Sequence, residues 1–191
     1  MSPSNLGLTD AKRDLLAVAA SRLIHKKGFS GTTLADIAKD ANVALGSVYY
    51  YFKSKDDIAE AVIEKRLKDI EKLLQQRDDI ADPKRRLVAL IDVWVGDRNI
   101  DARYGCPIGS LCYELAKGRG PLSGHAARPF RMLLDWCEAQ FKAIVPSAQA
   151  AAAALHLIVA LQGVSLVANA LGDPALIMSE TNHLKNWITA L

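Results

Sequence analysis

The sequence predicts an all-α protein of about nine helices, a small N-terminal unit followed by a larger helical bundle. Apolar residues recur at spacings of three and four along nearly the whole chain, and no stretch alternates long enough for a credible strand. Helix punctuation divides that pattern. Gly28, Asp82-Pro83, Pro107, Pro146-Ser147 and Gly172-Asp173-Pro174 each mark a stop or a start. No internal repeat is present.

Residues 1–8 read as an arm, and Thr9 or Asp10 as the cap of a first helix that ends at about Lys27. Leu15, Ala19 and Leu23, with Val18 and Arg22, give its period, and Gly28 is its C′ glycine. Leu34, Ile37 and Ala38 form the next stripe, with Thr32 and Thr33 placed to cap it. Asp40-Ala41-Asn42 stops it, and Asn tolerates the left-handed backbone of a tight turn. A second short helix runs from Ala44 to Tyr51, with Val48 and Phe52 facing inward. Ser47, Tyr49 and Tyr50 are left to point elsewhere. Two short helices joined by such a turn are a helix-turn-helix, whose second helix enters the DNA major groove.

Ser54 and Asp57 form a capping-box pattern with Asp in place of Glu. They open a helix from Lys55 to Asp78, which would be about 36 Å long. The next helix carries Leu87, Leu90, Ile91, Trp94 and Val95, and 99–105 reads as a loop. Pro107 opens a short helix that ends near Gly118, and 118–124 is the most loop-like segment. A helix with Phe130, Leu133, Leu134, Cys137, Phe141 and Ile144 ends before Pro146. Ser147 reads as the cap of a helix to Leu171, and Asp173 as the cap of the last helix. The domain division expected is 1–54, which carries the helix-turn-helix, and 55–191, the larger bundle.

The stretches TTLADIAKDANV, GSVYYYF and KSKDDI, preceded by GFSGTT, resemble the DNA-binding motif of TetR-family transcriptional regulators. Two positions depart from the family's habit. Ala44 stands where a capping Ser or Thr is common, and Leu45 where a polar residue is common. Leu45 has no donor and reads only an apolar surface such as a thymine methyl. The resemblance implies that Thr33 bonds a phosphate and that Leu45, Gly46, Ser47 and Tyr49 face the groove. It implies phosphate contacts from Tyr50 and Tyr51 and a phosphate ion pair from Lys55. The alternative is that the tyrosines pack the small unit. The stretch GCPIGSLCYELA also resembles a TetR-family segment that borders the effector pocket.

Charge agrees with a phosphate-binding head. Residues 1–55 hold eight Lys and Arg against four Asp and Glu, a net of +4, so the chain's total of +3 leaves −1 for the rest. Met1–Asp10 lacks an apolar stretch of signal-peptide length, and no apolar run reaches the ~18 residues of a membrane span without polar interruption. The three cysteines lack a framework spacing, and a reduced, cytoplasmic protein is expected.

The segment Ser147–Leu171 is apolar almost all round and needs partners on two faces. Its expected seam with a second copy is Ala153, Leu157, Leu161, Val164 and Ala168, joined by Leu184, Trp187 and Ile188 of the last helix. TetR regulators, by resemblance, dimerise through their last two major helices. Asn169 suits a hydrogen bond at that seam. Candidate effector-pocket residues are Trp94, Tyr104, Ile108, Leu111, Tyr113, Phe130, Leu134, Cys137 and Phe141, with His156 and Gln162 as polar groups. Ordinary core is the rival reading of that set. Glu114, Arg98 and Arg103 are the charged handles nearby in sequence.

Cys106 precedes Pro107 at a helix start, where a thiol pKa can fall, so a redox or electrophile sensor is the alternative function. The four histidines are scattered without metal or triad spacing, and no phosphate loop is present. No catalysis, cofactor or metal is expected. The reading is a homodimeric repressor that binds a palindromic double-stranded DNA operator and releases it on binding a small apolar effector, with no membrane partner. An architectural DNA-binding protein without an effector is less consistent with so large an apolar C-terminal half.

Overall fold

The computed structural model describes residues 3–118 and 120–191. Its α-helices are α1 (Pro3–Lys27), α2 (Leu34–Asp40), α3 (Leu45–Tyr51), α4 (Lys55–Asp78), α5 (Pro83–Tyr104), α6 (Pro107–Lys117), α7 (Arg128–Phe141), α8 (Ser147–Leu171) and α9 (Ala175–Ala190). Two 3-10 turns follow α6, Pro121–Ser123 within the 118–124 segment expected to be loop and His125–Ala127 just after it. Among the described residues there is no strand, and the fold is all-α as predicted. The chain divides into two compact units, Met1–Arg66 with Ser110–Ala127, and Leu67–Gly109 with Arg128–Leu191. That division falls inside α4 and α6.

In the first unit, residues 3–8 are helical and Thr9 and Asp10 lie within α1, so neither caps it; residues 1–2 of the expected arm lie outside the described residues. The buried side of α1 is Leu16, Ala17, Ala19, Ala20 and Ile24, so Ala19 of the expected stripe is buried, while Leu15 and Val18 are exposed. Residues 15–20 are apolar on every side of the helix, so periodicity could not choose between adjacent stripes. Gly28 leaves α1 at φ 79°, the left-handed geometry that favours glycine.

Thr33 caps α2 as half of a capping box. Asp36 N donates to Thr33 Oγ1 at 3.1 Å, and Thr33 N donates to Asp36 Oδ2 at 3.0 Å. Those bonds from Thr33 hold the Asp36 carboxyl below its ordinary value. Thr32 is buried and instead donates its hydroxyl to Gly28 O at 2.8 Å. Asn42 turns the chain at φ 52°, and Val43 N donates back to Ala38 O at 3.0 Å. Ala44 offers no side-chain cap to α3. The Ser54–Asp57 box that opens α4 is complete, with Asp57 N to Ser54 Oγ at 3.1 Å and Ser54 N to Asp57 Oδ2 at 3.0 Å.

The second unit is built on one apolar core from α4, α5, α7, α8 and α9, including Leu74, Leu90, Ile91, Phe141, Leu157 and Ile188. The expected loop at 99–105 is helical to Tyr104. Asn99 and Asp101 look like turn residues, but Ala102 is buried and Asp101 accepts from Ser165 Oγ at 3.1 Å, which holds the last turns of α5. Gly105, at φ 77°, ends the helix. Ser147 makes no capping bond and lies inside α8. The last helix starts a residue later than expected, where Asp173 Oδ1 accepts from Ala175 N at 2.8 Å.

Asp101 is 3% exposed and is pushed up to about 6, chiefly by burial, with Ser165 opposing and Asp97 adding to the shift. A carboxyl raised on folding favours the native state at low pH, and that contribution disappears as pH rises from about 4 through 6. Asp101→Asn keeps an acceptor for Ser165 and removes the charge. It should leave stability unchanged below about pH 4 and raise it above pH 7 by roughly 2–3 kcal/mol. Urea unfolding across that range checks this, and equal stability of the two proteins at pH 8 contradicts it.

Candidate functional site

Helix α3 is only seven residues long and buries one of them, Val48. Its other faces are therefore free. Leu45, Tyr49 and Tyr50 are exposed, Tyr50 by 67%, and an added Cβ at Gly46 would meet nothing within 4 Å. Ser47 is partly exposed. No acidic residue lies on this helix. Tyr50 stands edge-on to the partly buried Tyr51, with ring centroids 4.9 Å apart. Tyr49 and Tyr50 thus do not pack the unit, and the side of α3 away from Val48 is an uncharged set of hydroxyls and apolar groups.

Two lysines frame it. Lys53 was not singled out from the sequence. Its Nζ donates to Tyr49 O at 2.9 Å and Tyr50 O at 3.2 Å, satisfying carbonyls at the negative end of α3. A lysine just past a helix end was the available signal. Lys55 Nζ donates to Ser30 O at 3.1 Å and lies 4.7 Å from the Phe29 ring centroid. Thr33 is exposed, but its hydroxyl already donates to Asp36 Oδ2 at 2.8 Å, so a phosphate would compete with the capping box.

The expected effector residues divide between the units. Leu111 and Tyr113 belong to the N-terminal unit and the others to the C-terminal unit. Trp94, Cys137 and Phe141 are buried in the C-terminal core, with Ile108, Phe130 and Leu134 partly buried against it. Tyr104 is partly buried and Leu111 buried. Tyr113 is 64% exposed, with Lys117 Nζ 4.9 Å from its ring centroid, and lines no interior site. His156 is also exposed, edge-on to Trp187 at 4.8 Å, because its neighbour Leu157 takes the buried side of α8. Gln162 Oε1 lies 2.4 Å from where a Gly109 Cβ would stand, so Gly109 leaves it room. Trp94 Nε1 is buried with no hydrogen-bond acceptor among the described residues. Of the charged handles, Arg98 donates to Val95 O at 2.7 Å and Glu114 accepts from the backbone at Phe29 and Ser30.

The expected seam needs correction. Leu157, Leu161, Ala168, Leu184 and Ile188 are buried in the core of the single chain and offer no surface to a partner. Ala153, Val164 and Trp187 are partly buried against that core. Asn169 donates inward, to Ala102 O at 3.3 Å. The bare stripe of α8 is Ala148, Ala152, Leu155, Val159, Gly163, Leu166 and Ala170, an uninterrupted apolar face at spacings of three and four. Leu166 is 69% exposed. A helix apolar all round gave no phase from which to choose the outer face.

Cys106 reverses its expected chemistry. The residue is buried, and desolvation pushes its thiol up despite bonds from the Gly109 and Ile108 backbone and from Gln162. Burial likewise pushes Cys137 up to about 12.

A match to a family of known proteins falls within the N-terminal unit. The model of the bacterial regulatory proteins of the tetR family matches residues 16–62. An uncharacterised HTH-type transcriptional regulator in the lacX 3′ region of Lactococcus lactis is 34% identical over 110 residues, 54% of this chain and 55% of that protein. The HTH-type transcriptional regulator BetI of Burkholderia ambifaria is 35% identical over 99 residues, 51% of each chain. The chain thus spans about half the length of these curated relatives. Over nearly its whole length it is similar in fold to a solved TetR-family regulator from Agrobacterium tumefaciens, with a TM-score of 0.81, 25% identity, and coverage of 93% of this chain and 97% of that one.

With Cys106, Cys112 and Cys137 all buried, the native protein should show no fast-reacting thiol toward an aromatic disulfide reagent, and the full complement only after denaturation. A rapid native reaction that Cys106→Ser removes would restore the sensor alternative.

Proposed function

We propose that this chain is a repressor of the TetR family of bacterial regulatory proteins, a reading supported by the family match over residues 16–62 and by the fold. In this reading it binds a palindromic operator as a homodimer and lets go when a small, largely apolar effector occupies its C-terminal unit. The observation that carries the reading is α3 itself, anchored through Val48 with Leu45, Gly46, Ser47, Tyr49 and Tyr50 left clear of the core. Ser47 has the chemistry to read a base edge, and Leu45 that to meet a thymine methyl. The hydroxyls of Tyr50 and Tyr51 suit phosphates, which position the head without reading sequence.

A second copy completes the reader. The bare α8 stripe is the face we assign to it, and a two-fold pair matches half-sites about 34–36 Å apart. Small residues at Ala148, Ala152, Gly163 and Ala170 allow close approach, with Leu155, Val159 and Leu166 between them. The effector reading rests on the apolar character of the second unit and on Trp94 Nε1, one of several buried donors without an acceptor among the described residues. A small apolar molecule bearing one acceptor suits that environment. It must bind the operator-incompetent state more tightly, or it shifts nothing. Helix α4 is unbroken from Lys55 beside the reading head to Ile70 and Leu74 in the second core, a continuous path for the response. The thiol-sensor alternative has no support in the surroundings of Cys106.

Selection from a random duplex library should yield a near-palindrome, and wild-type protein that prefers no sequence contradicts the reading. Ser47→Ala should change the preferred sequence, whereas Tyr50→Phe should weaken every sequence alike. Equal loss on all duplexes for Ser47→Ala would make Ser47 a phosphate contact.

Leu166→Asp should produce monomers, because a carboxylate closed into an apolar seam costs on the order of several kcal/mol. Sedimentation decides it. A fully dimeric Leu166→Asp protein would move the seam away from this stripe.

A further inference from the structure

We propose that Glu114 is a positioning residue for operator recognition, a clamp on the α1–α2 turn through which α6 sets the placement of the reading helices. The clamp rests on geometry within the N-terminal unit. Its link to operators rests on the function proposed above.

Both carboxylate oxygens of Glu114 are engaged. Phe29 N donates to Oε1 and Ser30 N to Oε2, each at 3.0 Å, from a segment 84 to 85 residues away in sequence. Charge-assisted bonds to a pair of adjacent N–H groups are strong and fix direction as well as distance. Space is reserved for them. A Cβ on Gly28 would stand 2.8 Å from Oε1, so the glycine that turns the chain out of α1 also admits the carboxylate.

The clamped turn is the junction of three helices. Its first side, Gly28, ends α1 and accepts from Thr32 Oγ1 at 2.8 Å. Its far side, Thr33, is the N-cap of α2. Between them, Ser30 O accepts from Lys55 Nζ, which ties the turn to the start of α4. The ends of these helices are thus referred to one acidic side chain supplied by a fourth. Remove it, and the Phe29 and Ser30 N–H groups lose their acceptor, while Lys55 and the capping box remain.

Glu114 and its two partners lie in the same unit, although α6 itself is divided between the units. Pro107–Gly109 belong to the C-terminal unit, where Gly109 abuts Gln162, and Ser110–Lys117 belong to the N-terminal unit. A helix moves as a unit. A displacement of about 1 Å at Glu114 would take both bonds beyond hydrogen-bond range. By sequence Glu114 is a charged handle for an effector, but its carboxylate is committed to this turn.

The test uses the full chain as Glu114→Ala and Glu114→Gln, with the operator selected by the wild type and a random duplex of equal length. Amide exchange at Phe29 and Ser30, thermal stability and affinity for both duplexes are measured well below each melting midpoint. Glu114→Ala should speed exchange at both amides by roughly tenfold or more. It should lower operator affinity by roughly ten- to a hundredfold while changing random-duplex affinity by less than about twofold, since the phosphate-binding groups are intact. Glu114→Gln keeps one acceptor oxygen and should lie between. If Glu114→Ala does not fold, the Gln variant carries the test through the same two ratios. Unchanged exchange would show that there is no clamp. Fast exchange with undiminished operator preference would show that the clamp does not position the reader. Wild-type protein without sequence preference would instead defeat the functional reading, leaving the exchange result to judge the clamp.

Discussion

The burial of Val48 is the contact on which the N-terminal unit depends. A seven-residue helix is far too short to persist in water by its own hydrogen bonds. Ala44 gives it no side-chain cap, so α3 is held by Val48, fully buried, and by Phe52, nearly so, four residues on. Because one narrow stripe anchors the helix, its remaining side chains are free of structural duty. A longer or more deeply buried α3 would be more stable and would have less to present.

The excess positive charge of residues 1–55 has a structural use as well. Arg22 pairs with Asp40, Lys27 lies 3.5 Å from Asp36, Lys53 satisfies the end of α3, and Lys55 ties Ser30 to α4. Most of these contacts are exposed and individually weak. Their value is that they organise the head, while the net charge of the segment still attracts a polyanion at long range. Order established before binding is entropy that binding need not supply.

Local chemistry was legible in the sequence, and phase and long-range contacts were not. The Thr33 cap, the Ser54–Asp57 box, the left-handed Asn42 and both ends of α4 follow from residues within a few positions of one another. Where a helix is apolar all round, periodicity loses its phase. That is why α1 buries Leu16 and exposes Leu15, and why α8 buries Leu157 and Leu161 and leaves Val159 and Leu166 outside. The 99–104 segment failed differently, since Asp101 is held in helix by Ser165 on a distant element. Glu114 left no local trace because its partners lie at the other end of the N-terminal unit's sequence.

Helix α8 raises the same question of phase as a question of solvent. Its length and apolar composition alone would suit a membrane span. Its polar residues argue for a protein environment on one side. Ser165 donates to Asp101, Asn169 to the α5 backbone, and Gln162 fits against Gly109. All of these lie toward the second unit's own core. What remains outside is centred on a stripe of alanine, glycine, valine and leucine. Lipid tails would favour large side chains over the whole exposed surface, whereas a stripe of small residues between larger ones is the shape into which another helix fits. The outer face of α9 fits the same arrangement, for Ser179, Asn182, His183 and Asn186 are exposed and polar, as the wet rim of such an interface would be.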